Sequence, residues 1–143
     1  MVVIQLTGIV RDGSGGLVPT SQRIAWVQGE DGEIWLDLKK ADGTVFDPTA
    51  VAVSLHLAVR PKNTTGQDDG RPLVAREGTD ADAVLGRVKF SIASSATLQM
   101  APRKTYRYDV NLTVSGARQQ VVPVSDFRLE PIVSMPGDPS SAP

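Results

Sequence analysis

Apolar and polar side chains alternate along most of this chain with a period of two, which predicts strands rather than helices. The cleanest case is 51–59. Val51, Val53, Leu55, Leu57 and Val59 share one face, and Ala52, Ser54, His56 and Ala58 share the other. Residues 105–115 repeat the pattern, with Tyr106, Tyr108, Val110, Leu112 and Val114 opposite Arg107, Asp109, Asn111, Thr113 and Ser115. In 33–39 the inward set is Ile34, Leu36 and Leu38, and Trp35 falls on the outer face. In 86–92 it is Val88, Phe90 and Ile92. Further strands are expected at 2–10, 22–28, 118–124 and 125–133, with a short edge strand at 72–76. Ser94 to Met100 reads as one helical turn, set off from the following strand by Pro102.

The breaks between these segments carry turn chemistry. Asp42-Gly43 and Ser115-Gly116 are turn signals, and Asp-Gly supplies the positive φ that a tight hairpin requires. Pro61 is expected to end the strand at 51–59. Residues 63–70 and 77–83 read as polar loops. About eight or nine short strands, with turns every 8–12 residues, predict an all-β, immunoglobulin-like antiparallel β-sandwich of about 7–9 strands. The helical turn leads into a tyrosine-led strand, as in the crossover of such a sandwich, and one tyrosine is expected to direct its hydroxyl to backbone near the preceding turn. Residues 1–21 read as an arm or edge strand with a glycine-rich linker, 22–134 as the sandwich, and 135–143 as a flexible tail.

Composition narrows the possible chemistry. The 143 residues suggest one domain, and their net charge of −1 provides no basic field for nucleic acid. There is no cysteine, which excludes disulfides and thiolate metal sites. No apolar run reaches the roughly 20 residues of a membrane helix, and the first residues lack the basic leader of a signal peptide. His56 is the single histidine. It lies mid-strand, no serine occupies a strand-to-helix elbow, and a structural or surface role is the stronger reading. Asp68-Asp69 and Asp80-x-Asp82 offer carboxylates to a hard cation, but without calcium-loop spacing they read as solvated charge. The run at 13–16 lacks the Gly-Lys ending of a phosphate loop. The sequons at Asn63 and Asn111 read as chance matches. No catalytic, cofactor or metal residues are expected, and the chain reads as no enzyme.

The informative surface features are apolar. An outward Trp35 is either covered by a loop or by the arm, or it anchors an interface. The uncharged face of Ala52, Ser54, His56 and Ala58 is covered either by residues 1–21 or by another chain. Val2, Ile4, Leu6 and Leu17 of the arm complete the set of interface candidates, since an arm can add to a neighbouring sheet.

The order of these pieces carries a resemblance. It runs from Trp26-Val-Gln-Gly-Glu-Asp-Gly-Glu-Ile-Trp-Leu-Asp-Leu through Asp42-Gly43 and the strand ending at Arg60 to Gly86-Arg-Val-Lys-Phe-Ser-Ile. The helical turn to Met100, Tyr106-Arg-Tyr-Asp-Val and Asp126-Phe-Arg-Leu-Glu-Pro-Ile-Val-Ser follow. This order resembles small phage virion proteins, similar to the N-terminal domain of baseplate upper proteins and to short tail and neck proteins. The likeness spans roughly three quarters of the chain, in motifs each of which is generic on its own. It departs from the family pattern at Ser125-Asp126, where a glycine is usual, and at Ser134, where threonine is usual. The resemblance implies a non-enzymatic building block of the tail, baseplate or neck, made in the host cytoplasm and used as a homo-oligomer with other virion proteins. A capsid decoration protein is one alternative. A carbohydrate-binding or host-adhesion module, with glycan as its partner, is another. No nucleic-acid or membrane partner is expected.

Overall fold

The computed structural model describes residues 1–13, 15–61, 72–100 and 104–131. Ser14, the loop at 63–70 with Asp68 and Asp69, Pro102, the end of the last expected strand and the tail at 135–143 lie outside the described residues. Nine strands and one short helix are present: β1 (Val2–Val10), β2 (Ile24–Val27), β3 (Gly32–Lys40), β4 (Val53–Pro61), β5 (Val74–Glu77), β6 (Thr79–Asp82), β7 (Arg87–Ile92), α1 (Ser94–Leu98), β8 (Thr105–Val114) and β9 (Ala117–Glu130). They form two sheets, ordered β1-β3-β7-β6 and β2-β9-β8-β4-β5. Strands β3 to β9 follow the strand order of an immunoglobulin-like sandwich, with an extra strand beside β4. Their pairings are antiparallel, while β1 joins β3 and β2 joins β9 in parallel.

The predicted inward residues meet between the sheets. Ile34, Leu36, Leu38, Val88, Phe90 and Ile92 come from one sheet, and Leu55, Leu57, Val59, Tyr108, Val110 and Leu112 from the other, all buried. Trp26 is fully buried, as its inward pattern implies, and its indole Nε1–H donates to the Glu30 carbonyl at 3.2 Å. The Asp42-Gly43 turn forms as expected. Gly43 takes φ 88°, and the Asp42 carboxylate accepts from the Thr44 amide and hydroxyl at 2.9 and 2.6 Å. Those bonds hold its pKa below the usual carboxylate range. Helix α1 has no side-chain cap of its own. Asp31 in the β2–β3 turn accepts from the Ser94 amide at 2.6 Å, and buried Thr97 accepts from the Gly29 amide at 2.8 Å.

Three expectations are corrected. Val51 lies before the strand and is fully exposed at 106%, because β4 starts at Val53. Pro61 ends β4 as expected, as its last residue, paired with Tyr106 of β8. The side on which an N–H is missing is the side where β5 has already ended, as β5 pairs only with 56–59. The expected loop at 77–83 contains β6. Its side chains are all exposed, and it is held to β7 by backbone pairing and by a Lys89–Asp80 ion pair at 2.8 Å. The two expected strands at 118–124 and 125–133 are one continuous β9. Pro123 is accommodated where the register with β8 shifts between Tyr108 and Asn111, so that it has no paired partner.

Tyr108 is a buried residue of β8. Its hydroxyl donates to the Gln22 carbonyl at the start of β2 rather than to the turn before its own strand. Burial pushes the phenol above the usual tyrosine range, with a smaller opposing contribution from a hydrogen bond with Ser125. An acid whose folded pKa is raised stabilises the fold fully below its unfolded pKa. That contribution is lost as pH rises above it, because only the unfolded chain then ionises. Stability should therefore fall above about pH 10 by up to about 1.4 kcal/mol per pH unit from this group. Tyr108→Phe should cost about 1–3 kcal/mol at neutral pH, leaving the Gln22 carbonyl without its donor, and should flatten the alkaline slope. Urea unfolding of both proteins at pH 7, 10 and 11 checks this; an unchanged slope in the variant would overturn it.

Candidate interaction surfaces

The interface candidates fall in three places. Val2, Ile4 and Leu6 lie on β1, facing the sandwich interior: Leu6 is core at 2% exposure, while Val2 and Ile4 are half-buried at its margin. Leu17 lies in the β1–β2 connection, exposed, with its amide donating to the Ala41 carbonyl at 2.8 Å. Ala52, Ser54, His56 and Ala58 lie on or beside β4, on the outer face of the other sheet. Trp35 belongs with the first group, since its backbone pairs with Gln5 of β1.

Trp35 faces outward as expected and is half-buried. Two β7 cations approach its ring, Arg87 at 5.8 Å and Lys89 at 5.6 Å from the centroid. Each cation is also held by a carboxylate. Asp37 takes Arg87 in a two-point contact at 2.6 and 3.1 Å, and Asp80 takes Lys89. These bonds raise the pKa of both cations. The ring is thus the centre of an ordered charged patch, with less of its surface open to stacking than a bare tryptophan offers.

The face around His56 is neither uncharged nor covered by residues 1–21. His56, Ala58 and Arg60 of β4, Ala75 and Glu77 of β5, and Asn111 and Arg118 line a shallow groove of about 280 Å³. Beside it the Asp109 carboxylate, 8% exposed, accepts from Arg60 at 3.3 Å, Gln120 at 2.9 Å and Asn111 at 3.4 Å. Every visible oxygen of this acid has a partner, so it orders the sheet surface rather than standing ready for a ligand. Asn111 is committed to that network and buried. The alternation could not show this, because three polar residues with neighbours across the strands look identical in sequence to three solvated ones.

The sheet edges separate more sharply. A sheet edge exposes unpaired N–H and C=O groups, and soluble proteins guard them. Edge β6 carries Asp80 and Asp82, a register shift and a positive φ of 53° at Asp80. Edge β5 is four residues long and includes Arg76 and Glu77; edge β2 is also four residues long. Edge β1 differs, with nine residues and no charged side chain. Its C-terminal half is closed by two glutamine side chains. The Gln22 amide accepts from Thr7 N–H at 2.8 Å and donates to Thr7 C=O at 2.6 Å. The Gln119 amide does the same at Arg11, at 2.9 and 3.2 Å. Each side chain reproduces the donor and acceptor of a neighbouring strand. Neither glutamine has a signal in the sequence, because the partners are 15 and 108 residues away.

Among the described residues, no group of three or more histidine or acidic side chains could hold a metal ion, and no helix is long and apolar enough to cross a membrane. Asp82 of the expected carboxylate pair accepts the Val84 and Leu85 amides at 2.9 and 3.0 Å.

Strand order defines the class as an all-β, immunoglobulin-like sandwich. No family model matches the chain, and no curated protein does. Among solved structures the chain is similar to the "N-terminal domain of phage TP901-1 ORF48", at 10% identity over 90% of this chain and 99% of that one, with a TM-score of 0.49. At that level of likeness, the fold stands on the strand order itself.

Proposed function

We propose that this chain is a non-enzymatic structural component of a phage virion, in the tail, baseplate or neck region, which docks to sibling and partner subunits. The observation that carries the reading is the long uncharged edge of β1, set on a rigid sandwich whose other edges are short or charged. An assembly subunit needs such a surface, since repeated docking reuses one patch on every copy. The ordered resemblance from Trp26 to Val133 supports the same reading, because its described pieces are successive elements of one sandwich. Localisation in the particle follows from that role, with other virion proteins as partners.

The test is proteomics of purified particles from the phage that encodes the chain, followed by localisation in imaged particles. Stoichiometric presence on the tail or neck is the expected result. Absence from the particle would overturn the proposal. Presence only on the capsid shell would favour a decoration role instead.

A further inference from the structure

We propose that the N-terminal half of β1 is a self-pairing edge, through which two copies of this chain join their four-stranded sheets about a two-fold axis. This deepens the assembly reading and rests on it for its biological meaning, though it can be tested on purified protein.

Successive residues of a strand direct their N–H and C=O groups to opposite sides. Val2 directs its amide towards β3, donating to the Asp31 carbonyl at 2.9 Å. Thr7 and Arg11 direct both groups away from β3, to the Gln22 and Gln119 side chains. By the same alternation Val3 and Gln5 also point away from β3. Among the described residues no strand lies there, because β1 ends the sheet. Among the described residues the edge is therefore capped at Thr7 and Arg11 and open before Thr7.

Several features select a second copy as the occupant. Residues 2–6, Val-Val-Ile-Gln-Leu, carry no charge, so two of them meet without repulsion. The open groups are spaced for reciprocal use. With Ile4 opposite Ile4 of the second copy, Val3 of each chain faces Gln5 of the other, and each such pair exchanges both hydrogen bonds. The Gln22 clamp on Thr7 disfavours registers that slide further along the strand. The side chains agree with this register. Val2 and Ile4 are half-buried at the margin of the core, and Val3 is 58% exposed. Antiparallel pairing would bring the two Ile4 side chains together on the inner face and join the two cores into one apolar layer. The contact is small, so the dimer should be weak in isolation, with Kd on the order of 100 μM, and should gain strength when a particle holds the copies together.

Val3→Pro tests the pairing directly. Proline removes an N–H that the monomer does not use, and edge strands tolerate it. Sedimentation equilibrium of the full chain should show a monomer–dimer equilibrium, and Val3→Pro should weaken it by roughly thirtyfold, the loss of two net hydrogen bonds per dimer. Circular dichroism of the variant should be unchanged. Ile4→Cys provides a second reading in a chain with no native cysteine. The two Cα atoms would lie about 4.5 Å apart in this non-hydrogen-bonded pair, within the span of a disulfide. Mild oxidation should give a covalent dimer at Ile4→Cys, while Val51→Cys, exposed before β4, should not give one at the same rate. A strictly monomeric wild type at roughly 1 mM, or a dimer indifferent to Val3→Pro, would overturn the proposal. Either result leaves the virion reading intact, since that fails only if the protein is absent from particles.

Discussion

Gly32→Ala should destabilise the fold by about 3 kcal/mol, lowering the thermal midpoint by roughly 10 °C. Gly32 opens β3 and pairs with Val2 of β1 on one side and Ile92 of β7 on the other. A Cβ at this position would lie 2.3 and 2.4 Å from Trp26 Cη2 and Cζ2, and 2.6 Å from the Val2 carbonyl oxygen. None of these neighbours gives way easily. The indole is fully buried and tied to the Glu30 carbonyl, and the oxygen belongs to the β1 backbone. The methyl group can be placed only by shifting the largest ring in the core or by lifting the start of β1 from β3. The second route would also spoil the open edge, so any dimer should weaken in this variant. Gly116→Ala is the informative comparison. Nothing lies within 4 Å of its Cβ, but φ is +86°, so the cost comes from the backbone alone and should be about 1 kcal/mol. Chemical denaturation of both variants, followed by tryptophan fluorescence, separates the two mechanisms. A Gly32→Ala protein as stable as Gly116→Ala would show that the indole has room to move.

Physical locality decided which parts of this fold were legible in the sequence. Strands β3, β4 and β7 each bury one face, so a period of two was written into Ile34-Leu36-Leu38 and Val88-Phe90-Ile92 directly. Strand β6 buries nothing; Thr79-Asp80-Ala81-Asp82 becomes a strand only because Lys89 and the β7 backbone lie beside it. The continuity of β9 through Pro123 depends on a register shift opposite Val110, which is a property of the pair rather than of either strand. The same limit explains the surfaces. Trp35 faced outward as its alternation required, yet the cations that flank it come from another strand. The partner of the Tyr108 hydroxyl, the Gln22 carbonyl, lies 86 residues away in sequence. Gln22 illustrates the point most fully. Its carbonyl accepts from Tyr108, its amide donates to Ser125 Oγ at 3.0 Å, and its side chain closes the β1 edge at Thr7. One uncharged residue in a connecting segment thus ties both sheets together and marks where the open edge begins.

Phe127→Ala should cost about 3–5 kcal/mol, the range for a buried aromatic ring replaced by a methyl group. Phe127 is 1% exposed and pairs with Ile24 of β2 on one side and Tyr106 of β8 on the other. Its ring stacks on Trp26, with centroids 6.0 Å apart and planes 24° apart, and meets the Tyr108 ring edge-on at 6.4 Å and 73°. Each such pair contributes about 0.5–1.5 kcal/mol beyond area burial, so the loss should exceed that of a leucine truncated at similar depth. The four residues of β2 hold few other side chains against the core, and Trp26 is their anchor. Without Phe127 the indole loses its stacking partner, and β2 should be the first element to open, which hydrogen exchange at Ala25 and Trp26 would report. The cavity would also lie against the Tyr108 ring. Water admitted there would lower the raised pKa of the phenol, so the alkaline loss of stability should become shallower as well. A double-mutant cycle between Phe127→Ala and Tyr108→Phe should therefore be non-additive by about 0.5–3 kcal/mol. Strict additivity, with an unchanged alkaline slope in Phe127→Ala, would mean that the two rings are energetically independent despite their contact.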